Sequence, residues 1–284
     1  MQRLNFIVTN RLPRRAATRF VGWFSRRRHP LVREASIAVW QFFAGDLRLH
    51  EARKSRFDSM HDCFIRELRP GARPVDDDPD CIVSPCDAHV MAHGPIRGQT
   101  VFQAKGFPYE MAELLGNAAA AAAHADGVFV TLRLSASMYH RFHAPDDLTL
   151  QTLRYIPGDT WNVNPPTVRL IERLYCRNAR AVLHTLTRRE EPLTLVAVAA
   201  ILVASIKVHG IEQPLEAGYK GPLSLAPDLP FARGEQIGYF RQGSTIIVFA
   251  PAGFELAGGV GPGALLRMGQ PLLRRRKAPP VTSA

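Results

Sequence analysis

LTLVAVAAILVASI, Leu193 to Ile206, is the longest apolar run of the chain, and its reading decides the fold. A membrane-spanning helix needs about 20 apolar residues. This run is shorter and rich in Val, Ala and Ile, so it predicts a buried strand. Working outward, Val128 to Leu134, Thr149 to Tyr155, Ala181 to Thr187 and Thr245 to Phe249 share its texture. They are short, β-branched or alternating, and mostly bounded by Gly, Pro or polar turn residues. Helical patterns concentrate before them. Val32, Ala35, Val39 and Phe42 recur every three or four positions after Pro30, with Trp40 and Phe43 alongside, and predict an amphipathic helix ending near Gly45. A second helix is expected over Phe57 to Leu68, closed by Arg69-Pro70-Gly71, and a third over Tyr109 to Ala123. The fold class is therefore α+β, a helical N-terminal segment on a mostly antiparallel β body, with a polar tail after Leu273. No internal repeat is visible.

The chain has 284 residues, 46% of them hydrophobic, and a formal charge of +11. That composition excludes a disordered tail and a disulfide miniprotein. Cys63, Cys81, Cys86 and Cys176 form neither a CxxC pair nor a dense framework, so reduced thiols are expected. The basic N-terminus lacks the continuous apolar stretch and small-residue cleavage site of a signal peptide. Nine arginines, from Arg3 to Arg33, precede the first acidic residue, Glu34. Leu4, Phe6, Ile7, Phe20, Val21, Trp23 and Phe24 are interleaved with them. Aromatic anchors mixed with long cations suit a bilayer interface. An RNA-binding arm and a solvated tail are the competing readings, and neither an RNP-like motif nor zinc-finger spacing supports nucleic acid.

Chemistry concentrates in four places: Ser84-Pro85-Cys86-Asp87-Ala88-His89; Tyr139-His140-Arg141-Phe142-His143-Ala144-Pro145; Asn162 to Pro166 with Asn178-Ala179-Arg180; and Gly243-Ser244-Thr245 before an apolar strand. Singly, each has a bland explanation: a turn, or one core and one surface histidine. His89 and His93 share the spacing of helical zinc ligands, but no glutamate lies between them and Gly94-Pro95 breaks any helix. Gly258 to Gly263 lacks a following lysine at phosphate-loop spacing, and Pro262 removes a backbone donor.

Together, in this order, the four places resemble the phosphatidylserine decarboxylase family. The resemblance runs almost end to end. It includes Phe64-Ile65-Arg66-Glu67-Leu68-Arg69-Pro70-Gly71-Ala72-Arg73-Pro74, then Ser84 to Ala88, Lys105-Gly106-Phe107-Pro108-Tyr109 and Leu134 to His143. Pro157 to Asn164, Gly243-Ser244-Thr245 and Arg267 to Leu272 complete it. The resemblance implies a carboxy-lyase that makes its own cofactor, a covalent pyruvoyl group derived from Ser244, by cleaving between Gly243 and Ser244. It implies Asp87, His143 and Ser244 as the self-cleavage triad, in which a carboxylate fixes an imidazole that deprotonates the serine. Thr245 would support the oxyanion, and His140 would serve decarboxylation. Tyr109 and Asn164 would line the substrate pocket, and no metal is implied. The expected reaction converts phosphatidylserine to phosphatidylethanolamine and carbon dioxide through a Schiff base with the pyruvoyl group.

The implied partners are phosphatidylserine in an anionic bilayer and the two chains produced by cleavage, with a homodimer as the family precedent and no nucleic acid. The implied location is peripheral, on the cytoplasmic face of the cell membrane. The domains then read as residues 1–60 for membrane association, 61–273 for catalysis and 274–284 as tail. Departures from the family pattern are Ala88 beside Asp87, Ala179 for a carboxylate, Ala199 and Ala204 at usual glycine positions, and Gln242 before Gly243. They keep open an unprocessed, lipid-binding membrane-surface protein. A metal-dependent hydrolase using His89, His93, His140 and His143 is a third reading. The Gly243–Ser244 bond and bound zinc discriminate among them.

Overall fold

The computed structural model describes residues 20–98, 100–102, 107–200, 205–241 and 244–276. The first part of the basic arm, Lys105, Gly106, Ala204, Gln242, Gly243 and residues 277–284 lie outside that set.

The organising element is the strand Ser244–Ala250, every residue of which is buried. It pairs antiparallel with Val128–Leu134 on one side and Pro192–Ala199 on the other. Arg180–Thr187 and Leu148–Ile156 extend the sheet beyond Pro192–Ala199, while Ala88–Pro95 and Leu265–Leu266 extend it beyond Val128–Leu134. A strand apolar on both faces needs cover on both. Ile246, Val248 and Ala250 share one core with Phe142, Ile206, Val208 and Phe240. The last four belong to a smaller antiparallel sheet ordered Leu215–Glu216, Ser205–Val208, Gln236–Phe240, Arg141–His143. Ile247 and Phe249 belong to the opposite core with Met111, Leu114, Leu115 and Tyr175, under short helices Met111–Leu115 and Leu174–Arg177. Because side chains alternate along a strand, Ser244 faces the first core and Thr245 the second.

The five strand segments read from the sequence all fall in strands, with one of them and the start of the tail corrected. Leu193 to Ile206 is two strands, Pro192–Ala199 in the large sheet and Ser205–Val208 in the small one. Both are buried on nearly all sides, so the apolar run carries no mark of the switch between sheets. The final strand, Pro271–Arg275, runs past Leu273 because the Arg275 guanidinium is clamped by Glu191 and Asp146 at 2.6 and 2.8 Å.

Helices differ more. The first spans Pro30–Ala44, with Pro30 opening it and Gly45 (φ 83°) closing it. Trp40 stacks on Phe64 at 5.4 Å and heads a local core with Leu47, Phe57 and Cys63. That contact turns the predicted stripe outward: Ala35, Val39 and Phe42 are exposed, together with Leu31 and Phe43. The second helix is only Met60–Phe64, capped by Ser59. It stops early because the following backbone pairs with residues 51–53: Arg53 N–H donates to Glu67 O at 2.8 Å, and Leu68 bridges Ala52. The third divides into Met111–Leu115 and Ala118–Ala122 at Gly116, whose φ of 64° ends one helix while Asn117 caps the next. Tyr109 belongs to a strand, Pro108–Glu110. Among the described residues, no helix is long and apolar enough to cross a membrane. All four cysteines are free.

Gly238 is the pinch point of the small sheet. A Cβ there would collide with the Lys207 carbonyl oxygen and stand 2.7 Å from Phe142 Cζ. Gly238→Ala is therefore expected to cost about 2–3 kcal/mol. Chemical denaturation of the variant checks this, and an unchanged midpoint would show that the sheet yields freely.

Candidate active site

Asp87 ends a loop that is stapled on two sides. Ser84 Oγ donates to Cys86 O at 2.8 Å, and His143 N–H donates to Pro85 O at 2.8 Å, which fixes this loop to the Arg141–His143 strand. The Asp87 carboxylate is buried and receives Arg73 Nε at 2.9 Å, Arg73 Nη2 at 2.6 Å and the Met268 amide at 2.9 Å. Arg73 in turn donates to Glu51 at 2.8 Å. Burial pushes the Glu51 carboxyl up, but the guanidiniums of Arg73 and Arg48 outweigh it and hold its pKa at about 2. Ala88, Ala179 and Ala199 all lie outside the positive-φ region, so alanine carries no backbone strain at these places.

His143 sits between two partners. Its Nδ1 is 2.9 Å from Gly234 O, and its Nε2 is 2.9 Å from the Tyr139 hydroxyl. A carbonyl only accepts, so Nδ1 carries the proton and Nε2 presents a lone pair to the tyrosine O–H. Burial holds the ring neutral, with a pKa of about 4. His140 is fully buried against Phe64, with ring centroids 4.1 Å apart. Its Nδ1 donates to Met138 O at 2.8 Å, leaving Nε2 as an unpartnered lone pair, and burial lowers its pKa to about 3. The His140 carbonyl accepts the Phe240 N–H at 2.9 Å. Ser244 follows Phe240 by four residues, so its backbone is within roughly 14 Å of the Phe240 backbone that pairs with His140.

Ser244 and Thr245 open the central strand, opposite Ala199 and Val198 on one side and Leu134 and Arg133 on the other. Both hydroxyls are buried and unpartnered, as are Ser205 Oγ and Tyr109 OH. Buried polar atoms are normally hydrogen-bonded. Ser244 and Thr245 thus carry two buried hydroxyls without a hydrogen-bond partner at the head of a fully buried strand.

Asp87, His143 and Ser244 make no hydrogen bonds to one another, although the Asp87 charge acts on the His143 ring. Tyr109 lies in the second core against Tyr175. Asn164 is occupied as a helix cap, accepting the Thr167 N–H at 3.0 Å. Asn178 donates to the carbonyls of Trp161 and Ala199, and Arg180 to those of Glu113 and Leu114. Asn178 and Arg180 thus brace the end of the sheet. Among the described residues, no group of three or more His, Cys, Asp or Glu side chains is placed to hold a metal. Arg73 and Tyr139 escaped the sequence reading as site residues. Both stand inside the motif stretches, in Arg73-Pro74 and Tyr139-His140-Arg141, which is the only signal that pointed to them.

The family model for phosphatidylserine decarboxylase matches residues 60–274, which contain Arg73, Asp87, Tyr139, His140, His143, Ser244 and Thr245 but not Glu51. The chain belongs to the phosphatidylserine decarboxylase family. It is 40% identical over 246 residues to the phosphatidylserine decarboxylase proenzyme of Halorhodospira halophila, covering 82% of this chain and 80% of that one. The proenzyme of Erwinia tasmaniensis is 33% identical over 283 residues, 96% and 94% of the two chains. That of Methylococcus capsulatus is 36% identical over 265 residues, 91% and 92%. The chain is accordingly an enzyme of the carboxy-lyase class, and the α+β expectation matches the fold.

Buried histidines link stability to pH. His140 and His143 at the candidate site, and His124 beside Thr194 at the other end of the central strand, are buried and neutral, with pKa values lowered by burial to about 3, 4 and 4. Unfolding exposes them to an ordinary value near 6.5, so the unfolded chain binds more protons at acidic pH. Stability is expected to be full above about pH 6.5 and to fall as pH drops toward 4. Thermal melts at pH 7.5 and 5 check this. Equal melting temperatures would mean that these rings are not held neutral.

Proposed function

We propose that the chain cleaves itself between Gly243 and Ser244 and, with the pyruvoyl group so formed at position 244, decarboxylates phosphatidylserine to phosphatidylethanolamine. The observation that carries this reading is the buried, unpartnered Ser244 hydroxyl at the head of the central strand. His143 is the base, because its neutral Nε2 lone pair becomes available when the Tyr139 hydroxyl turns away. Asp87 supplies the negative charge that favours the imidazolium. The deprotonated Ser244 oxygen attacks the Gly243 carbonyl carbon, and the peptide bond becomes an ester. Loss of the Ser244 Cα proton with breakage of the Cβ–O bond frees a Gly243 carboxylate. Hydrolysis of the remaining dehydroalanine releases ammonia and leaves the pyruvoyl group.

That group supplies a carbonyl electron sink for the decarboxylation. Ser244 begins the buried strand, so the group sits where water is scarce and the electrostatics are strong. His140, with Nε2 unpartnered, holds or delivers the proton of the second reaction. Thr245 and Tyr109 offer further free hydroxyls on the opposite face. The expected homodimer and the 1–60, 61–273 and 274–284 division belong to this same reading.

The membrane is the second part of the proposal. Phe42 and Phe43 are 83% and 81% exposed, and Phe20, Trp23, Leu31 and Val39 are also largely uncovered. Arg26, Arg27 and Arg28 lie among them, and the Arg27 guanidinium stands 3.7 Å over the Trp23 ring. Apolar rings flanked by arginines favour a peripheral position on an anionic leaflet, the cytoplasmic face of the cell membrane.

Intact-mass measurement of the detergent-purified chain tests the first part. The expected products are a fragment ending at Gly243 and one of residues 244–284 bearing a pyruvoyl group in place of serine. Ser244→Ala should remain whole and inactive. A wild-type chain that is folded yet uncleaved favours the lipid-binding alternative. For the second part, Phe42→Asp with Phe43→Asp should weaken binding to phosphatidylserine vesicles by at least about tenfold, since each ring contributes roughly 2 kcal/mol on burial. Unchanged flotation would remove this helix from the membrane contact.

A further inference from the structure

A cleft of about 160 Å³ opens between the N-terminal segment and the sheet body. Four guanidiniums line it, from Arg48, Arg66, Arg73 and Arg267, against three carboxylates, from Asp46, Glu51 and Asp87. Three of the arginines have acidic partners. Arg73 holds Asp87 and Glu51, while Arg48 and Arg267 reach Glu51 at 2.6 and 3.3 Å. Arg66 has none. Only 5% exposed, it donates from its terminal nitrogens to the carbonyls of Cys63, Leu47 and Ser137, and its Nε finds no partner. A guanidinium that is stripped of water, unpaired with any acid and left with a free N–H is costly unless an anion completes it. Burial also lowers the Arg66 pKa, and the charges of Asp87 and Glu51, which make no ion pair with it, only partly offset that. The Glu51 carboxylate is shared by three arginines, so Arg267, the most loosely held and about a third exposed, is free to turn toward a ligand.

The position of the cleft narrows the ligand. Asp46 and Arg48 follow directly on the Pro30–Ala44 helix, whose last turn carries the exposed Phe42 and Phe43. The opposite wall includes Asp87 and Tyr139, and Tyr139 is bonded to His143. The cleft thus lies between the segment that follows this helix and the candidate active site, with one positive charge in excess. We infer that it is an anion subsite for the phosphodiester of a phospholipid headgroup, with Arg66 and Arg267 as its donors. This inference rests on the decarboxylase reading and names the part of its site that recognises the headgroup.

Calorimetric titration of the full chain with glycerophosphoserine, with inorganic phosphate in a parallel arm, tests it independently of turnover. The wild type should bind glycerophosphoserine, and Arg267→Gln and Arg66→Lys should each bind it about tenfold more weakly, the loss of one charge-assisted contact. Arg267→Gln, at a partly exposed position, keeps the test decisive if Arg66→Lys fails to fold. Undiminished binding by Arg267→Gln would overturn the subsite. So would inorganic phosphate binding as tightly as glycerophosphoserine, which would indicate a free-phosphate site. Carbon dioxide release from phosphatidylserine vesicles is measured separately. If it is absent in the wild type, the decarboxylase reading fails, whereas the titration still decides the subsite.

Discussion

The buried ion pair of Arg73 and Asp87 gathers four separate segments of the chain. Arg73 follows the Gly71 turn, Asp87 leads into an inner strand of the large sheet, Glu51 adds a second acid from the N-terminal segment, and the Met268 amide reaches Asp87 from near the C-terminus. The two side chains are only 4% and 8% exposed. Removing one partner of such a pair leaves a charge in low dielectric and typically costs about 3–5 kcal/mol. Met268 and Arg73 saturate one side of the carboxylate, so the loop from Ser84 to Asp87 has little freedom, and Pro85 passes that constraint to the backbone of His143. The placement of the candidate base therefore depends on an arginine outside the catalytic set.

Much of this arrangement is legible in the amino-acid order, and the illegible part has physical causes. β-branched runs locate the central strands because burial on both faces leaves few other ways to fold such segments. The same uniformity hides the break between Pro192–Ala199 and Ser205–Val208. Local periodicity places a helix after Pro30 but not the face it buries, which Phe64, more than twenty residues away, decides. The helices expected over 57–68 and 109–123 yield to backbone pairing at Leu68 and to the left-handed Gly116. At the site, the motifs supplied Asp87, His140, His143 and Ser244. The Arg73 clamp, the Tyr139 hydroxyl and the Gly234 carbonyl could not be read, because each is a contact between separate segments.

The two histidines show how burial prepares chemistry before any reactant arrives. Each has one ring nitrogen tied to a backbone carbonyl, so the tautomer is set and the other nitrogen is basic. Low polarity around both rings disfavours the imidazolium in the resting state. A proton accepted there must be stabilised by a nearby charge, and Asp87 acts on His143 in that sense. At His140 burial is the main cause of the lowered pKa and the Arg66 charge adds to it, as the Arg141 charge does at His143.

The strand Ser244–Ala250 lies between Pro192–Ala199 and Val128–Leu134 and is enclosed on both faces. A break at its first residue would assign the middle of the sheet to one polypeptide and both of its neighbours to the other. Neither piece is then a folding unit in its own right. The product would be a heterodimer that could assemble only as a single chain, and its halves would remain interlocked by the ladder built before they were parted.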